Sequence, residues 1–353
     1  MENNSFLATK ADGKEISRIL ESVAGNHLFT MAYTRRPDAY DSYMRESGEA
    51  HVYVHKKDDK IVHTCSVLVR DMYINGKITK TGYICGLKKN PEFKDLYPNS
   101  IKFFKCFQKE DVDLFYCCVA KDNNFKNMIE KSRKIISFAK ITDLKTFMYN
   151  PKQRIKVPDH PYTFRQANEG DIITILSFLN EEGKKKEFFP VIKSLDQFYN
   201  LKPEDFYLLS DGDEILAAAC LWDVSSYKQY TILKYGSLMK MLRLANPLLQ
   251  ALKFLKLPKE NVPMEFPFLS FFISKNDNLT NYKIFLNEIN KVVAKKYDYL
   301  CLALPDNHFA IDIFKNIKNL NIESAIYEVS FSKDLKKDKS LVSGDVFTEN
   351  ALL

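Results

Sequence analysis

The sequence predicts an α/β protein of α+β type: two similar domains in tandem, each a twisted mixed sheet flanked by helices. Two observations predict it. The first is residues 81–131, which read as strand, loop, helix, strand, turn and helix. Tyr83, Ile84, Cys85 and Leu87 form a β-favouring run that Pro91 ends. Asn99 or Ser100 can cap a helix whose apolar face is Ile101, Phe103, Phe104 and Phe107. Residues 113–120 form a continuous apolar run suited to a strand buried on both faces, and Asp122-Asn123-Asn124 opens another helix. In such units a ligand anion sits where strand ends meet a helix N-terminus. The second observation is a pair of echoes. Ala11, Glu15, Ile16, Ile19 and Leu20 match Ala167, Asp171, Ile172, Ile175 and Leu176, an offset of 167 − 11 = 156. Asp122-Asn123-x-Phe125 matches Asp306-Asn307-x-Phe309 in the same order along the chain. Two diverged copies of one fold account for both.

The elements follow in order. A short strand around Phe6 precedes an amphipathic helix over 11–20, with Asp12 as cap and Glu15 three residues later. Residues 29–43 mix aromatics with Arg35, Arg36 and Asp38. Pro37 breaks one helix there and starts the next. Residues 51–55 and 61–69 alternate like strands joined by a turn at 57–60, and Asn75-Gly76 marks a second hairpin. The proline-bearing polar segment 151–161 separates domains 1–150 and 162–353. Beyond it, 206–209 and 215–222 flank Asp211-Gly212-Asp213 as a hairpin, and 228–246 reads as helical. Residues 266–273 form a strand, 281–296 a helix, 297–304 a strand, 309–317 a helix and 324–331 a strand. Residues 333–339 are a charged loop, and 346–353 can pair as a last strand.

With 353 residues, 45% of them apolar and 27% charged, the chain can bury a core in each half. The net charge of +7 is spread among scattered lysines and gives no dense nucleic-acid stripe. Seven cysteines without a C-x-x-C pair suit reduced thiols, a cytoplasmic location and no structural zinc. The start of the chain lacks a signal-peptide pattern, and no run of about 18 apolar residues exists to span a membrane. Walker, G-x-G-x-x-G, H-E-x-x-H and G-x-S-x-G motifs are absent. His51, His55 and His63 alternate on hairpin strands, a pattern that suits a strand face better than a metal site. Neighbouring Arg35 and Arg36, beside Tyr40, suit an anionic group or carboxylate, and surface ion pairs are the other reading.

Leu87-x-Lys89-x-Pro91-x-Phe93-Lys94 resembles the L-x-V-x-P-x-[YF]-[RK] motif of the GNAT acyltransferase superfamily, with Lys89 at its valine. Asn307-x-x-Ala310-x-x-x-Phe314 resembles that family's N-x-x-A-x-x-x-[YF], with Phe314 where a proton-donating tyrosine often stands. The family's glycine-rich pyrophosphate loop is replaced by Lys94-Asp95-Leu96-Tyr97-Pro98-Asn99, without glycine. The resemblance implies two GNAT-like domains and acetyl-CoA or another acyl-CoA as co-substrate, with no metal. It implies coenzyme contacts from Leu87, Lys89, Lys94, Tyr97, Asn99, Ser100, Asn123 and Asn307, aided by Lys88. It places Arg35, Arg36 and Tyr40 at the acceptor site and assigns no catalytic residue. The implied activity is N-acylation of a small, anionic acceptor. An aminoacyl-tRNA-dependent transferase of the peptidoglycan-bridge type, with tRNA as partner, is the alternative. So is a non-catalytic ligand sensor with decayed domains.

Overall fold

Alternating apolar residues and tight turns build the first sheet region. The computed structural model describes residues 5–22, 29–93, 106–121, 136–331, 342 and 344–353. The chain runs β1 (Ser5–Leu7), α1 (Gly13–Glu21), β2 (Phe29–Thr34), α2 (Ala39–Ser47), β3 (Glu49–Lys57), β4 (Lys60–Ile74), β5 (Lys77–Lys89), β6 (Leu114–Ala120) and β7 (Ser137–Tyr149). It continues through β8 (Thr163–Gln166), α3 (Ile172–Gly183), β9 (Phe189–Pro190), β10 (Phe206–Asp211), β11 (Glu214–Trp222) and β12 (Gln229–Tyr235). Then come α4 (Ser237–Leu244), α5 (Asn246–Ala251), β13 (Phe268–Ser274), α6 (Leu279–Val293), β14 (Leu300–Pro305) and β15 (Asn319–Ser330). The hairpins sit where expected. Asn75 and Gly76 turn at φ of 50° and 71°, the left-handed pair that matches the twist of β4 and β5.

The mixed α/β architecture expected from the sequence is the one observed. Among the described residues one sheet runs β1-β3-β4-β5-β6-β15-β7-β14-β13-β11-β10-β8, with β9 against β4. The strand sets of the two halves are fused edge to edge. β15 inserts between β6 and β7, and β7 pairs in turn with β14. Only β5–β6 and β13–β14 are parallel; the other ladders are antiparallel. A two-stranded ribbon of β2 and β12 lies outside the sheet.

α1 and α3 open alike. Thr9 and Asp12 form a capping box before α1, and Asn168 and Asp171 form one before α3. The structural offset is 171 − 12 = 159, about one helical turn more than the sequence echo of 156. The apolar match therefore aligned equivalent faces one turn apart, and the cap expected at Asp12 with Glu15 belongs to Thr9 with Asp12.

Four assignments differ. Residues 29–36, read as helical, form β2, and the start of 228–246 forms β12. Their β-favouring Thr30, Tyr33, Tyr230 and Thr231 pair from Phe29↔Tyr235 to Thr34↔Gln229. The helix expected over 309–317 is a 3₁₀ stretch, Ile311–Asn316. No strand forms over 346–353, because its polar groups go to side chains. Glu349 accepts from the amides of Phe271 and Ala351, and Lys228 and Arg70 take the carbonyls of Ala351 and Leu352. Residues 101–105, the helix opened by 122–124 and the loop 333–339 lie outside the described residues.

Candidate active site

The two parallel strand pairs hold together briefly and then part. β5 and β6 are in register from Thr81↔Leu114 to Tyr83↔Tyr116, and β13 and β14 only at Phe268↔Cys301. Each first strand carries a residue in the left-handed region where the pair opens: Gly86 at φ 63° and Phe271 at φ 52°. Each also breaks register with its antiparallel neighbour at that point. Such bulges turn backbone amides out of the ladder, toward whatever lies in the opening.

The two openings are furnished differently. At Gly86, an added Cβ would lie 2.1 Å from the hydroxyl oxygen of Tyr43, so only glycine lets the α2 tyrosine reach the bulge. Ser66 stands beside the same hydroxyl. Burial pushes the Tyr43 phenol up, which keeps its proton in place. At Phe271 the bulge amide is already taken: it donates to Glu349 Oε2 at 2.6 Å. Burial pushes the Glu349 carboxyl up to about 7, against the pull of the amide donors of Phe271 and Ala351.

Behind Tyr43 lies a buried charge cluster. Glu46 of α2 meets Arg35 Nη2 at 2.5 Å, Lys228 Nζ at 3.3 Å and Arg70 Nη2 at 3.7 Å. The Arg35 guanidinium stacks 3.8 Å from the Tyr43 ring centroid. It also donates to Ser42 Oγ at 2.9 Å, and Ser42 donates to the Tyr227 carbonyl. Burial opposes ionisation of Glu46, but Arg35, Lys228 and Arg70 outweigh it and hold the carboxyl at about 2. Burial pulls the Lys228 ammonium down despite Glu46. Next to the cluster is a cavity of about 290 Å³ lined by Glu46, Glu49, Asp71, Asp196, Arg70 and Lys80 among others.

The residues singled out in the sequence divide between places. Arg35 is 2% exposed and engaged inside the fold. Arg36 is exposed and forms a two-pronged pair with Glu21, Nε and Nη2 donating at 2.9 and 2.8 Å. Tyr40 is half-buried and packs on the core beneath α2. Leu87 packs on the core over the other face of β5, and Lys89 pairs in register with His63. Lys88 Nζ donates to the Leu20 carbonyl at 2.6 Å. Asn307 lines a cavity of about 90 Å³ at the other opening, with Lys186, Tyr282, His308 and Phe347. The aromatic ring of Phe314 stacks on Phe147 in the core. Lys94, Tyr97, Asn99, Ser100 and Asn123 lie outside the described residues. Sequence reasoning missed Tyr43, Arg70, Lys228 and Glu349. Lys228 reaches Glu46 across 182 positions and carries no local motif.

No family model and no curated protein sequence matches the chain. Solved structures do. N-myristoyltransferase of Saccharomyces cerevisiae, with bound myristoyl-CoA, superposes with a TM-score of 0.57 at 11% identity, over 96% of this chain and 87% of that one. The fold is GNAT-like. A GCN5-related N-acetyltransferase from Sphaerobacter thermophilus gives 0.53 at 10% identity, over 97% of both chains. A conserved protein of Enterococcus faecalis described as a probable N-acyltransferase gives 0.52 at 10% identity, over 93% of this chain and 72% of that one. At such identities the likeness is one of fold, and it extends along the whole GNAT-like chain.

Proposed function

We propose that the chain is an acyl-CoA-dependent N-acyltransferase, and that the thioester lies in the β5–β6 opening. The observation that carries the reading is the Gly86 bulge at the mouth of that opening, with the Tyr43 hydroxyl against it. The amine of the acceptor attacks the thioester carbonyl carbon, the carbon–sulfur bond breaks, and the thiolate takes up a proton. Bulge amides are placed to polarise the carbonyl oxygen. Tyr43 is placed to give the thiolate its proton, since burial keeps the phenol protonated until a stronger base forms beside it. The second opening, with its bulge amide held by Glu349, serves the fold.

The acidic lining of the 290 Å³ cavity suits an amine, and Glu49 or Asp71 there can take its proton. An acceptor carboxylate has one source of attraction, the surplus of Arg35, Arg70 and Lys228 over Glu46. Arg36 would have to leave Glu21 to contribute. Of the coenzyme contacts implied by the resemblance, Leu87 and Lys89 lie on β5 beside the opening.

The test is binding of coenzyme A, acetyl-CoA and tRNA side by side, followed by turnover with an amine panel. Acetyl-CoA is expected to bind and tRNA not. Tyr43→Phe should keep acetyl-CoA affinity while lowering kcat by about 10²-fold or more, the range of a lost general acid. Binding of tRNA alone would move the reading to the aminoacyl-tRNA class. Unchanged kcat in Tyr43→Phe would return Tyr43 to a packing role.

A further inference from the structure

Residues 237–257 break the pattern of the rest of the surface. Of the thirteen large apolar side chains that are exposed among the described residues, seven fall between Leu238 and Phe254: Leu238, Met241, Leu242, Leu244, Leu248, Leu252 and Phe254. Leu244 is 85% exposed and Met241 69%. Neither α4 nor α5 buries a single residue. Monomeric proteins scatter exposed leucines singly; a contiguous set marks a contact surface.

The charge on this segment has one sign. Residues 237–259 carry Lys240, Arg243, Lys253, Lys256 and Lys259 and no aspartate or glutamate. Acidic partners come from outside: Lys256 pairs with Asp298 at 2.6 Å, and Lys240 lies 3.8 Å from Glu260. No carboxylate stands within ion-pair distance of Arg243, Lys253 or Lys259 among the described residues.

The base of the segment is fixed even though its outer face is bare. Asn246 bonds Leu257 in both directions, its Oδ1 accepting at 2.8 Å and its Nδ2 donating at 3.0 Å. Lys318 Nζ caps the Leu252 carbonyl at 2.9 Å, and Tyr299 donates to the Lys256 carbonyl at 2.9 Å. On the inner side Met239, Leu255 and Leu257 roof an apolar cavity of about 260 Å³ between the β2–β12 ribbon and strands β7, β13, β14 and β15. The exposed leucines and the cavity are therefore two sides of one held segment.

We infer that residues 237–257 lie on the surface of an acidic lipid bilayer, seating the exposed leucines and methionines among the acyl chains and the lysines and arginine at the headgroups. The reasoning is charge complementarity joined to aliphatic exposure. A short amphipathic segment that carries cations without anions and presents leucine to water matches an anionic interface. No helix among the described residues is long and apolar enough to cross a membrane, and this attachment needs no crossing. A second copy of the chain fits less well, because it would bring five like charges against five. The inference stands apart from the catalytic reading and uses none of its residues.

The experiment is flotation of the purified protein with phosphatidylcholine vesicles and with vesicles that also contain phosphatidylserine. Binding is expected to the mixed vesicles and to weaken as salt rises. Leu244→Asp with Leu248→Asp should weaken it by about ten-fold or more for each side chain, the equivalent of an unburied leucine. Arg243→Glu with Lys253→Glu should weaken it by about five-fold or more for each charge removed. All four positions are on the bare face, so melting temperatures should hold; if one double variant fails to fold, the other decides. Equal binding to both vesicle types, or to neither, overturns the inference. So does a dimer in buffer that the leucine variants dissociate while vesicle binding is unaffected.

Discussion

Glu46 is the residue on which most of the α2 region depends. It is a fully buried carboxylate among three cations, and nothing else in the described interior of that cluster balances them. Breaking a buried pair by removing one partner costs about 3–5 kcal/mol, because the remaining charge stays desolvated. Glu46→Gln should therefore lower stability by about that amount in urea unfolding, whereas Arg36→Lys, on an exposed pair, should change it by less than about 1 kcal/mol. Comparable losses at the two sites would mean that the cluster is not held as described. Gly86 makes a second claim. Gly86→Ala pays the left-handed backbone penalty of about 1–2 kcal/mol and also strikes the Tyr43 hydroxyl. Part of that loss should be recovered in a Tyr43→Phe background, a positive coupling in a double-mutant cycle. Purely additive losses would separate the two residues. The sequence made Arg35 conspicuous by placing it next to Arg36 and Pro37. What it could not display is that the partner of Arg35 is on α2 and that of Arg36 on α1, so one guanidinium turns inward and the other outward.

At the scale of elements, the legible parts are those with local causes. The hairpins at 58–59, 75–76 and 212, the helix α6 with its Asn278 cap, and the apolar strands β6, β13 and β14 are all written in neighbouring residues. β2 and β12 were not, because each is stabilised as a strand mainly by the other, some 200 positions away. The C-terminal segment was misread for the same reason. Its residues 344–353 are apolar enough for a strand, but they cross β13 and are held by side chains from elsewhere. Glu349 is the tie, and it gives the segment a pH dependence. Its carboxyl titrates near 7 when folded against 4.5 as the ordinary value, so the folded chain holds the proton more tightly. The stabilisation from that proton is complete below about 4.5 and is lost as pH rises through 7, at about 3 kcal/mol in total. Glu46, shifted the other way, acts only as pH falls from 4.5 through about 2, so the two windows do not overlap. Melting temperature should fall between pH 5 and 8 in the native protein and stay nearly level in Glu349→Gln. An unchanged slope in that variant would locate the titration elsewhere.

At the scale of the molecule, the shared sheet decides what a domain boundary can mean here. We propose that 1–150 and 162–353 are two GNAT-like units that have exchanged their last strands. The paired capping boxes, the two splayed parallel pairs and the two bulges at 86 and 271 support this. Residues 151–161 carry no helix or strand, and Lys156, Pro158 and Asp159 are exposed. An insertion there should be tolerated, as exposed connections generally are. The units should nevertheless stay joined once the connection is cut. β15 of the second unit is bonded on both sides to strands of the first, from Ser324↔Ala120 on β6 and from Asn319↔Tyr149 to Ser330↔Ser137 on β7. β7 in turn is bonded to β14 along Leu300↔Tyr149 to Pro305↔Leu144. Either unit alone would expose long unpaired strand edges, the usual route to aggregation. A site-specific protease sequence placed after Asp159 and then cleaved should leave both pieces in one peak on size exclusion, parting only in denaturant. Separately expressed 1–150 should be insoluble or unfolded, and should be rescued by co-expression with 162–353. Pieces that separate freely after the cut, each with its own cooperative melt, would show two self-sufficient sheets and remove the exchange of strands from the account.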